Sequence, residues 1–142
     1  MKKKKAIGYL VRILDCNGNQ VNLSLEKQFE EIVKYCDLKG YELDDIHNET
    51  IKATNSIKRV GLERVLENSN NYDLIISYDI GSIARNIFEV SELFSRLEEI
   101  DLMYSSATEG LFRTDTPSGR LCVNMLESLV RLEEDLKVKY QT

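Results

Sequence analysis

Apolar positions along the chain switch repeatedly between runs of strand length and the spacing of a helix. Ala6-Ile7-Gly8-Tyr9-Leu10-Val11 is a continuous apolar run, as for a strand covered on both faces. Leu25, Phe29, Ile32, Val33 and Cys36 then mark the inner face of a helix that stops at Gly40. Tyr41 to Ile46 reads as a second strand, and the polar stretch His47 to Lys58, which has no periodicity, as a loop. Leu62, Val65 and Leu66 predict a short helix closing near Asn68–Asn71. Leu74-Ile75-Ile76-Ser77-Tyr78 is the clearest strand. Ile87, Val90, Leu93, Phe94, Leu97 and Ile100 follow as an amphipathic helix, and Leu102 to Ala107 as a fourth strand.

The last element is the longest. Pro117, the only proline, suits the first position of a helix, and Thr116 before it suits the N-cap. Leu121, Met125, Leu129, Leu132 and Leu136 recur at spacings of three and four, with Cys122, Leu126 and Val130 widening the first half. From Arg131 the flanks become charged and a narrow seam remains, which predicts one helix over about 117–140 whose second half meets a partner. The alternative is a terminal helix folded onto its own core.

Strands alternating with helices imply right-handed βαβ units. The expected fold class is α/β, a mostly parallel four- to five-stranded sheet flanked by helices. Ligands of such sheets bind beyond the carboxyl ends of the strands. That places Arg12, the loop around Arg59, and Asp79 to Arg85 on one rim.

Length and charge narrow the function. With 142 residues the chain is expected to be a single domain, 1–142, with no DNA-binding domain of its own. A net charge of −5 argues against a free-standing, strongly DNA-binding module, which needs clustered cations. The Lys2–Lys5 run reads as a solvated tail. No apolar run approaches a membrane span, and three widely spaced cysteines fit reduced thiols in a cytoplasm. No ligand spacing recurs, so neither a metal nor a cofactor is expected; Asp44, Asp45 and Glu49 read as a solvated strand end. His47, the sole histidine, reads as a surface residue, and Cys16 as an unreactive thiol.

Gly8-Tyr9-Leu10-Val11-Arg12, Ser24-Leu25-Glu26-Lys27-Gln28, Arg59-Val60-Gly61-Leu62, Ala84-Arg85-Asn86, Glu109-Gly110 and Thr116-Pro117-Ser118-Gly119-Arg120-Leu121 come in an order and spacing that resembles the catalytic domain of serine recombinases of the resolvase/invertase type. The resemblance implies a domain that cuts DNA through a serine hydroxyl. Arginines around the scissile phosphate stabilise its developing charge, and no metal takes part. It also implies a long last helix that forms the dimer contact. By position, Arg12, Arg59 and Arg85 match arginines of that set and are candidate phosphate-binding residues. Guanidinium suits the task because its planar fork binds two phosphate oxygens and keeps its charge.

The chain departs from the pattern at the nucleophile. The family serine lies two residues after the first-strand arginine, and here that residue is Leu14; a register one residue shorter gives Ile13. The family's Asp-Arg-Leu-x-Arg motif reads Gly81-Ser82-Ile83-Ala84-Arg85, and a Glu-Arg pair of the last helix becomes Glu133-Glu134. The expected function is therefore a strand-exchange domain without cleavage activity, acting in dimerisation at a DNA site. Its partner would be a second copy or a related recombinase, through Met125, Leu129, Leu132 and Leu136. Two alternatives stay open. One is an active recombinase domain from a longer chain, with Ser82 as a displaced nucleophile; the other is an α/β protein-interaction scaffold that uses no nucleic acid.

Overall fold

A computed structural model describes residues 3–52, 59–84, 86–108 and 113–140. Its strands are β1 (Lys5–Leu14), β2 (Glu42–Lys52), β3 (Leu74–Ser77) and β4 (Met103–Ser106), and its helices α1 (Leu25–Lys39), α2 (Val60–Glu67), α3 (Ile87–Glu99) and α4 (Pro117–Tyr140). The strands form one four-stranded sheet in the order β2-β1-β3-β4, and all three pairings are parallel. The expected α/β class and the long last helix are both present.

Two apolar layers sandwich the sheet. Ala6, Leu10, Leu74 and Ile76 face α1, where Ile32, Tyr35 and Cys36 cover them. Ile7, Tyr9, Val11 and Ile75 face the other way, under α2, α3 and α4. This two-sided cover is why β1 and β3 read as unbroken apolar runs. Ser24 accepts a hydrogen bond from the Lys27 N–H to start α1, and Asn86 accepts one from the Glu89 N–H to start α3.

One element differs from expectation. The stretch from His47 to Lys52 is strand, not loop, because β2 runs on for 11 residues beside β1. As an edge strand it has a neighbour on one side only, and its polar residues face water, so neither rhythm of a covered strand marks it. Residues 53–58 lie outside the described set.

Helix α4 has two apolar faces. Val123, Leu126 and Val130 are buried against the core, and Thr116 Oγ1 accepts the Gly119 N–H in its first turn. That turn sits directly on the preceding loop. A Cβ on Gly119 would stand 1.8 Å from the Arg113 carbonyl oxygen, so only glycine permits this approach. The stripe read from the sequence is the outward face along its whole length. Leu121, Met125, Leu129, Leu132 and Leu136 are 43–59% exposed.

Candidate functional site

The carboxyl end of β1 is the place to build from. Side chains alternate across a strand, so Tyr9, Val11 and Ile13 share one face while Leu10, Arg12 and Leu14 share the other. On the first face Tyr9 is fully buried and donates its hydroxyl to Glu49 Oε1. Burial, and then the Glu49 carboxylate, push the Tyr9 phenol well above its ordinary pKa.

Glu49 comes from β2 and ends against the start of α2. Its Oε2 accepts the Gly61 N–H at 2.8 Å and its Oε1 the Leu62 N–H at 3.1 Å, two of the donors that a helix start leaves unpaired. Arg59, the residue before α2, donates through Nη1 to the Ser82 carbonyl. Its Nη2 is buried and has no hydrogen-bond partner. A spare guanidinium donor in that position marks room for an acceptor.

Ser82 closes the site. It lies in a 3₁₀ turn, Ile80–Ser82, just past β3, and is 3% exposed. Asp79 Oδ1 accepts both the Ser82 hydroxyl at 2.7 Å and the Ser82 N–H at 2.9 Å. A pocket of about 200 Å³ lies beside it, lined by Ile13, Asn22, Tyr78, Asp79 and Ser82 among others.

The carboxyl end of β1 extends past β3, so its free edge needs other partners. Buried Gln28 supplies them at Val11, where its Oε1 accepts the N–H at 3.2 Å and its Nε2 donates to the C=O at 2.9 Å. Asn22 does the same for the Ile13 N–H and the Val11 C=O. These amides hold the strand end, and with it the Tyr9-Val11-Ile13 face, in one place.

A second polar cluster lies on the α1 side. Arg113 and Asp115 form a buried ion pair at 2.9 Å, and Asp115 also accepts the Tyr41 hydroxyl at 2.7 Å. Tyr35 meets Ser105 at 2.5 Å and accepts from Arg113. Burial alone would raise the Asp115 pKa, but the bonds from Arg113 and Tyr41 outweigh it and hold the carboxyl below its usual range.

The candidate arginines do not all meet. Arg59 joins the Asp79–Ser82 turn, as the shared rim predicts. Arg12 does not, because the strand pleat sends it to the opposite face, where it is exposed. Arg85 lies outside the described residues. Leu14 is half-buried on the Arg12 side and pairs with Gln20. Asp44 and Asp45 are exposed while Glu49 turns to α2, and no group of three metal-ligating side chains occurs among the described residues. Glu49, Gln28 and Asn22 went unassigned in the sequence; only Glu49's isolation in a polar stretch before Arg59 hinted at a role.

The family model for the resolvase N-terminal domain matches residues 17–142. This chain belongs to the resolvase family. The matched stretch takes in everything after β1. Among solved structures, the N-terminal catalytic domain of TP901-1 integrase superposes with a TM-score of 0.77 at 16% identity, over 94% of this chain and 99% of that one. A resolvase family site-specific recombinase from Streptococcus pneumoniae gives 0.69 at 17% identity, over 96% and 93%. The C-terminal catalytic domain of ISC1926 TnpA, an IS607-like serine recombinase, gives 0.55 at 15%, over 95% and 84%. No curated protein matches the chain. The resolvase fold is thus that of a serine-recombinase catalytic domain, and no helix among the described residues is long and apolar enough to cross a membrane.

Proposed function

We propose that this resolvase-family domain pairs through α4 and works at a DNA site without cutting it. The β1 face beside Arg59 carries the proposal. Tyr9, Val11 and Ile13 stand there, and neither aliphatic side chain can attack phosphorus. The one hydroxyl on that face, from Tyr9, is spent on Glu49 and its raised pKa disfavours the phenolate. Arg59 with its spare Nη2 is what remains of a phosphate-binding group, and Arg85 is the second candidate for it. The partner is a second copy or a related recombinase, and the outward stripe of α4 is the surface that calls for one.

A second reading rests on Ser82. Its hydroxyl has a carboxylate at 2.7 Å and a guanidinium at its carbonyl, the ingredients of an activated nucleophile. Burial and the turn-closing bond to Asp79 count against it.

Supercoiled plasmid carrying the DNA that flanks the gene separates the two. The non-cleaving reading expects no nicked or linear product. Nicking that disappears in Ser82→Ala would establish the second.

A further inference from the structure

We infer that the groove between α1 and the edge strand β2 is a docking surface for a cationic, amphipathic segment of a partner protein. The groove has a volume of about 600 Å³, an apolar floor and an acidic mouth. Phe29 enters it from α1 while 40% exposed, and Leu43 and Ile46 enter it half-buried from β2. Asp37, Asp44 and Asp45 stand around the opening, and no lysine or arginine among the described residues lines it. Asp37 and Asp44 form no ion pair among the described residues; Asp45 meets only the His47 ring, at 3.2 Å.

Charge and shape together select the occupant. Three carboxylates around an apolar floor attract lysine or arginine flanking an apolar side chain, and repel nucleic acid and acidic peptides. An added β-strand fits less well, although β2 is the sheet edge. The β1–β2 register shifts where Asp44 falls, and the Asp45 carboxylate takes the Ile46 N–H at 2.8 Å, so the edge is blunted there. The occupant therefore reaches the groove with side chains, as a helix laid across it does. The groove lies on the α1 side of the sheet, away from Arg59 and α4, so docking there leaves the pairing helix free. This inference does not depend on whether the domain cleaves DNA.

Three fluorescein-labelled helical peptides test it with the full chain: one of lysine and leucine in an amphipathic pattern, one with glutamate for lysine, one with serine for leucine. Anisotropy is expected to show the lysine–leucine peptide binding at least tenfold tighter than either other. Phe29→Glu and the triple Asp37→Asn/Asp44→Asn/Asp45→Asn are each expected to weaken it at least fivefold, with circular dichroism confirming that both variants fold. Amide shifts are expected at Phe29, Leu43 and Ile46. Equal binding of the glutamate peptide would overturn the proposal. So would affinity unchanged in the folded triple variant, or shifts confined to the outer stripe of α4.

Discussion

Glu49 and Gly61 meet so closely that a Cβ on Gly61 would stand 2.8 Å from the Glu49 carboxylate and 3.0 Å from Glu49 Cβ. The bare backbone lets the carboxylate reach the Gly61 and Leu62 N–H groups while it holds the Tyr9 hydroxyl. Gly61→Ala is expected to displace that side chain and cost about 1–3 kcal/mol, the scale of a lost hydrogen bond to a charged group. Urea unfolding checks this through a lower midpoint at unchanged slope. An unchanged midpoint would mean that Glu49 is not held by the start of α2.

The Arg113–Asp115 pair makes a different demand. The two side chains are 11% and 0% exposed, so removing the acid alone strands a buried guanidinium. Asp115→Ala is expected to cost about 3–5 kcal/mol, and the double change Arg113→Met/Asp115→Leu to recover part of it. Denaturant titration of both variants checks the order.

The same pair sets an acid limit. The Asp115 pKa is lowered by folding, so its contribution is present above the unfolded carboxylate value and disappears as pH falls through the folded one. The wild-type melting temperature is expected to fall below about pH 4 more steeply than that of Asp115→Asn. Parallel acid limbs in the two proteins would count against the pair as the acid-sensitive group.

The faces of α4 predict opposite outcomes. Leu129 and Leu132 are 58% and 54% exposed, so Leu129→Glu/Leu132→Glu is expected to give a stable monomer by light scattering. Leu126 is 6% exposed, and Leu126→Ala is expected to cost about 2–5 kcal/mol of folding stability without such a specific effect on pairing. A double mutant that stays dimeric would remove the outer stripe from the interface.

Much of this was legible in advance, for reasons that differ by element. β1, β3 and α4 announced themselves because burial on two faces, or on a helical stripe, leaves its period in the sequence. The second half of β2 did not, since an exposed edge strand has no such period. Arg12 was placed on the rim correctly along the strand but on the wrong face, because a shift of one residue exchanges the faces of a strand. Glu49 and Asp115 acquire their partners from segments far away in the chain, and nothing local marks such meetings.

The most direct test is covalent trapping. A nicked suicide duplex carrying the cognate site, incubated with the domain and quenched in denaturant, retains any protein joined to DNA through a phosphoserine. With an active serine recombinase as positive control, the expected result is no slow-migrating species for this chain and none for its Ser82→Ala variant. A covalent adduct that maps by mass spectrometry to Ser82, or to any other serine of the chain, would contradict the non-cleaving assignment.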